Sequence, residues 1–190
     1  ATDVYPADAN RQGWGSAAIG TRDDEHFMDL SAIDPLRRIK MGPEGVEIGA
    51  NVTWTDVRES RLPAWFDTLR LAAREVGGPQ IQNRATIAGN LCNASPAADG
   101  VPPLLALDAR VRLSRVASER EIPLSKFITG NRRTTLAPDE LLTAIVVPNP
   151  PSSSQSTFVK LGARKYLIIS IAMVAIVLAT ENDVITDVRI

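Results

Sequence analysis

The sequence predicts an α+β fold, and three observations lead there. Short strand-like runs and helical stretches are mixed without the regular alternation of a doubly wound sheet. No internal repeat is present. The length of 190 residues, with 44% hydrophobic and 23% charged side chains, suits one core, or one domain and part of a second.

In chain order, residues 7–25 are polar, contain glycine and turn acidic, and read as loop. Phe27-Met28-Asp29-Leu30 reads as a short strand, and Gly45 to Ala50 as another bounded by glycines. Thr53 followed by Asp56 has the spacing of a capping box opening a short helix. A longer helix is expected from Pro63 to Val76, with proline in its first turn and Gly77 as its C-terminal cap. Trp65, Leu69, Ala72 and Val76 would share its apolar face. Ser95-Pro96 reads as the next helix start, carrying Leu104, Leu105 and Leu107 inward, with Pro102 and Pro103 shortening or dividing the helix. Arg110 to Ser114 alternates as a half-exposed strand, and Leu141 to Val147 is a strand stopping at Pro148. The run from Pro150 to Ser156 has turn formers and no apolar anchor, and reads as a linker. Strands follow at roughly 157–162, 169–180 and 184–190, and the apolar run from Tyr166 to Ala179 reads as a strand buried on both faces.

The densest chemical signal is the segment from Gly77 to Asp99, where glycines, small residues, amides and hydroxyls gather with only Arg84 and Asp99 charged. Such a segment lets backbone N–H groups approach a polyanionic, nucleotide-like ligand. Its plainer reading is a buried loop between helices. Taken singly, Gly89 is a turn glycine, Asp99 a residue favoured by a helix dipole, Ser95 a cap, Cys92 a packed small side chain and Lys160 a solvated strand residue. His26, beside Asp23, Asp24 and Glu25, reads as surface.

In order, however, Asn83-Arg84-Ala85-Thr86-Ile87-Ala88-Gly89-Asn90 and Asn93-Ala94-Ser95-Pro96-Ala97-Ala98-Asp99 closely resemble the second flavin loop of the FAD domains of molybdenum hydroxylases, the xanthine dehydrogenase and aerobic carbon monoxide dehydrogenase family. Ala1-Thr2-Asp3 resembles the end of that family's first flavin loop, and Phe158 to Lys165 the start of its C-terminal domain. The resemblance implies a PCMH-type FAD-binding domain over 1–150, a linker over 151–156 and the first strands of the flavoprotein C-terminal domain over 157–190. It implies that Thr86, Gly89 and Asn90, with Ile87 adding apolar contact, meet the pyrophosphate and ribityl chain. Cys92 and Asn93 match positions near the adenine half, and Asp99 one that binds a cofactor hydroxyl. Ala1, Thr2 and Asp3 match the first-loop tail, and Lys160 a lysine near the reactive edge of the flavin. One departure is Ala88, where the family usually has glycine; its methyl is tolerated at negative φ and costly at positive φ. The opening without methionine or the first-loop glycines suggests a fragment or processed product truncated at both ends.

The implied function is FAD-dependent electron transfer, from [2Fe–2S] clusters fed by a molybdopterin-binding large subunit to NAD+ or another acceptor. The alternatives are a flavin oxidoreductase of the vanillyl-alcohol oxidase or MurB type, or a scaffold without catalysis. A net charge of −1 gives no electrostatic case for nucleic acid or anionic membrane. One cysteine and one histidine leave no cysteine-held cluster or two-histidine metal motif within the chain, and a cytoplasmic location is expected.

Overall fold

The computed structural model describes residues 28–164 and 167–190, so the readings made for Ala1, Thr2, Asp3, the 7–25 loop, His26 and Tyr166 lie outside the described residues. Strands β1 (Ile39–Gly42) and β2 (Gly45–Gly49) form a hairpin. Helices α1 (Trp54–Glu59), α2 (Asp67–Glu75), α3 (Pro79–Gln82), α4 (Ile87–Asn93) and α5 (Val101–Ala106) follow. Then come β3 (Arg110–Arg115), β4 (Ser118–Pro123), the short helix α6 (Leu124–Phe127), and the small pair β5 (Ile128–Gly130) and β6 (Arg133–Thr134). Strands β7 (Leu141–Pro148), β8 (Ser154–Leu161), β9 (Ala172–Glu181) and β10 (Val184–Arg189) complete the order. The α+β expectation holds.

A five-stranded antiparallel sheet in the order β1-β2-β7-β3-β4 carries the main core on one face. Strand alternation sorts its side chains. Val46, Ile48, Val111, Leu113, Ile145 and Val147 are buried in one cluster with apolar residues of α1, α2 and α4. The other face is polar: Arg112 donates to Glu121 on the neighbouring β4 at 2.8 Å and, across β7, to Glu47 on β2 at 2.6 Å. At the β1–β2 turn Gly45 has φ +141°, and a Cβ there would lie 2.9 Å from Pro148 Cα, so no other residue fits. The second sheet, β10-β9-β8, lays one face on α2 and α5.

Strand β4 is tied to the start of β7 by Arg120. Its guanidinium donates to both Glu140 carboxylate oxygens at 2.7 and 2.8 Å, and the Ala137 N–H adds a third bond at 3.0 Å. The Arg120 hydrogen bonds, then the Ala137 N–H, pull the Glu140 carboxyl down to about 2 from its ordinary 4.5. A carboxyl depressed on folding contributes stability above its unfolded value and loses it as pH falls through the folded one. Glu140→Gln is therefore expected to flatten the part of the acid-unfolding curve between pH 4.5 and about 2, read by circular dichroism. An unchanged slope there refutes the assignment.

Several expected elements are corrected. Met28 to Leu30 is irregular, with no strand partner. The helix expected from Pro63 begins as a 3₁₀ turn, Ala64–Phe66, and becomes α-helical at Asp67. Phe66, fully buried, bonds back to the Pro63 carbonyl through its N–H, the i→i−3 bond that makes this turn 3₁₀. The Thr53–Asp56 capping box is present, with the Thr53 N–H 2.8 Å from Asp56 Oδ2. Gly77 closes α2 at φ +50°, as a left-handed glycine after a helix does.

Ser95-Pro96 opens a turn and not a helix. Ser95 Oγ accepts from Ala97 N–H at 3.3 Å and its carbonyl from Ala98 N–H at 3.0 Å, which spends the serine locally. Pro102 and Pro103 instead lie in the first turn of α5, where a missing N–H costs nothing. Leu104 and Leu107 face inward as expected, but Leu105 is 41% exposed.

Strand β8 begins at Ser154, inside the segment read as linker. Strand β9 starts at Ala172 and is buried on one face, through Ala175, Val177 and Ala179, because helices cover only that side of its sheet. The outer face carries Val159, Leu161, Val174, Ile185 and Val188.

Candidate functional site

Two helix starts lie side by side. Thr53 and Thr86, the N-caps of α1 and α4, form an antiparallel bridge, with Trp54 N–H on the Ala85 carbonyl and Ile87 N–H on the Val52 carbonyl, both 3.2 Å. Thr86 Oγ1 accepts the Gly89 N–H at 3.0 Å. A Cβ on Gly89 would sit 2.9 Å from that oxygen, so glycine here leaves room for the cap. Ala88 is helical and outside the positive-φ set, which accommodates alanine where the family usually has glycine. Thr86→Ala is expected to cost about 1 kcal/mol in urea unfolding, with Thr86→Ser close to wild type. Equal losses in both variants would rule out the cap as the cause.

The helix α4 then divides its residues. Ile87 is fully buried, so the apolar contact expected of it is made with the core. Asn90 Oδ1 accepts the Gly100 N–H at 3.1 Å, and among the described residues its amide donors have no partner. Gly100 is held between Asn90 and the indole of Trp54: a Cβ there would be 2.8 Å from the amide oxygen and 2.9 Å from the ring.

Cys92 is half-buried against the core, and burial pushes its thiol up to about 11, so it is neutral at physiological pH. Asn93 Oδ1 accepts from the Arg132 guanidinium at 2.7 Å, while the Arg132 N–H bonds the Ala94 carbonyl at 2.8 Å. Ala94 and Arg132 both sit in the left-handed region, at φ 45° and 52°. Non-glycine residues hold that conformation only where their surroundings fix it.

Asp99 and Lys160, far apart in sequence, meet. Lys160 Nζ is 2.9 Å from Asp99 Oδ2 and 3.3 Å from the Glu75 carbonyl at the end of α2. Their side chains are 5% and 12% exposed for Lys160 and Asp99, so the pair is nearly dry. Ser170 Oγ donates to the other carboxylate oxygen at 2.8 Å. Lys160 also lines a cleft of ≈ 420 Å³ with Glu75, Leu161, Gly162, Arg164 and Ile168. Thr86 and Gly89 do not line it; the Asn90–Gly100 bond connects the two regions through the residue next to Asp99.

Ser170, Arg132 and the Glu75 carbonyl were not singled out from sequence. Ser170 had a signal, as the sole polar residue between Leu167 and Ala179. The other two had none. Among the described residues no group of three or more His, Cys, Asp or Glu side chains could hold a metal, and no helix is long and apolar enough to cross a membrane.

Residues 18–150 match the family described as the FAD binding domain in molybdopterin dehydrogenase. The chain belongs to this family. Its cofactor is FAD. This FAD domain is 36% identical over 148 residues to the nicotinate dehydrogenase FAD-subunit of Eubacterium barkeri, covering 76% of the chain and 50% of that protein. To the xanthine dehydrogenase FAD-binding subunit of Escherichia coli O157:H7 it is 34% identical over 128 residues, 66% of the chain and 44% of that protein. Among solved structures it is similar to the reconstituted CO dehydrogenase from Oligotropha carboxidovorans, with TM-score 0.76 and 28% identity over 81% of the chain and 54% of that one. A carbon monoxide dehydrogenase from Hydrogenophaga pseudoflava gives TM-score 0.74 and 26% identity, covering 82% and 54%. The FAD domain thus spans about half the length of the relatives it matches.

The donor set fits such a cofactor. A carboxylate offers about four acceptor positions and an ammonium three donors. Asp99 spends one lone pair on Ser170 and one on Lys160, and Lys160 spends two of its three N–H groups. Among the described residues each retains hydrogen-bonding capacity.

Proposed function

We propose that this chain is the FAD-binding, electron-transferring part of a molybdenum hydroxylase of the xanthine dehydrogenase type. In this reading electrons arrive from [2Fe–2S] clusters, a molybdopterin-binding subunit carries out the substrate oxidation, and NAD+ or another acceptor receives the electrons. The observation that carries it is the buried Asp99–Lys160 pair, next to which the Gly100 N–H bonds Asn90 Oδ1 of α4. The relatives are named as FAD subunits of dehydrogenases, which supports an oxidoreductase component.

When bound, FAD supplies the electron-accepting and electron-donating chemistry; the protein binds it, orients it and sets its electrostatics. Thr86, Gly89 and Asn90 would meet the pyrophosphate and ribityl chain, with Ile87 supporting them from the core. Asn93 and Cys92 would flank the adenine half, and Ala1, Thr2 and Asp3 would close the first loop. Asp99 would accept from a cofactor hydroxyl, a hydrogen bond to a charged group worth about 1.5–3 kcal/mol. Lys160 would place positive charge where reduced flavin carries negative charge. The family match ends at residue 150, which supports a division near there between the FAD domain and a second unit that begins with β8 at Ser154. A cytoplasmic site of action belongs to the same proposal.

The test is the visible spectrum of the purified chain with and without added FAD. Bands near ~370 and ~450 nm that bleach on reduction are expected of a bound flavin. A chain that takes up no FAD at excess refutes the reading.

A further inference from the structure

Ser170 holds a place that the flavin reading does not use. It lies 71 positions from Asp99 in sequence, yet its hydroxyl reaches Asp99 Oδ1 at 2.8 Å while Lys160 takes Oδ2 at 2.9 Å. Each carboxylate oxygen therefore has its own protein partner. The serine is delivered from a fixed backbone: the next residue, Ile171, donates its N–H to the Leu161 carbonyl at 2.8 Å, tying the entry to β9 onto the end of β8. Its neighbours Ile169 and Ile171 are 76% and 68% exposed, while Ser170, like Ile168, is half-buried and turned inward.

We propose that Ser170 is a positioning residue of the flavin site, holding the Asp99 carboxylate in the orientation in which it meets the cofactor hydroxyl. The inference rests on the reading of Asp99 and Lys160 as flavin-binding residues. Without the hydroxyl, the carboxylate is free to turn about its Cβ–Cγ bond and engage the Lys160 ammonium with both oxygens. That arrangement withdraws the lone pairs left for the ligand, and it neutralises more of the lysine charge.

The experiment compares wild type, Ser170→Ala and Ser170→Thr in the full chain loaded with FAD. Affinity is read from quenching of flavin fluorescence, redox midpoint potential from a reductive titration, and stability from thermal melting of the FAD-free chain. Ser170→Ala is expected to weaken FAD binding at least about tenfold, the scale of one hydrogen bond to a charged group. It should also move the midpoint potential lower, while the melting temperature shifts by no more than about 2 °C. Ser170→Thr, which keeps the hydroxyl, should restore affinity and potential. Wild-type affinity and potential in Ser170→Ala overturn the inference alone, as does equal loss in both variants with a matching fall in melting temperature. A wild-type chain that takes up no FAD overturns the parent reading and this inference with it.

Discussion

Lys160→Met is expected to destabilise the chain by about 3–5 kcal/mol, the cost of leaving one member of a buried ion pair without its partner. The magnitude follows from burial. An ion pair in water is worth at most about 1 kcal/mol, but Lys160 and Asp99 are 5% and 12% exposed. Removing the ammonium leaves the Asp99 carboxylate with Ser170 as its remaining side-chain donor, and leaves the Glu75 carbonyl without the donor at 3.3 Å. Methionine keeps much of the lysine stem, so lost packing contributes little.

Urea unfolding of Lys160→Met, Asp99→Asn and the double variant tests this. The double variant should recover part of the loss, because a neutral amide no longer needs the charge. A single-variant loss below about 1 kcal/mol would show that the pair behaves as a surface bridge, and the site model built on it would fall.

The second large effect is expected at Trp54. Its side chain is 1% exposed, packs in the main core and lies against Gly100, the residue after Asp99. Trp54→Ala should cost about 3–5 kcal/mol, the transfer of a large aromatic plus the cavity it leaves. Trp54→Phe should cost less, since it fills part of that volume. Leu105→Ala, at a residue 41% exposed, is the control and should stay within about 1 kcal/mol. The measurement is the midpoint of chemical unfolding. Comparable losses at Trp54 and Leu105 would contradict the packing described.

These effects also show which parts of the molecule could be read from residues alone. The capping box at Thr53, the alternation of β3, the strand ending at Pro148 and the left-handed Gly77 all depend on chemistry within a few positions. They were legible for that reason. Ser95-Pro96 was not, because serine before proline serves a turn as well as a helix start, and the choice is made by the left-handed Ala94 just before it. The apolar run in β9 shows composition but not how many of its faces a neighbour covers.

The site was legible by name and not by geometry. Resemblance singled out Asp99 and Lys160 separately, while their contact spans 61 positions and depends on how β8 crosses the end of α2. Ser170 was visible only as an odd polar residue in an apolar stretch, and its partner was out of reach of any local pattern.

Lys160, carried by β8, joins its ammonium to the last turn of α2 and to the turn before α5. One charge therefore acts as a rivet through three stretches of chain that are remote in sequence. Local opening of any of them exposes an unpaired ion, so fraying one at a time is penalised and the three share a common opening event. A flavin held there would leave at the pace of that shared opening, more slowly than the flexing of a single loop would allow.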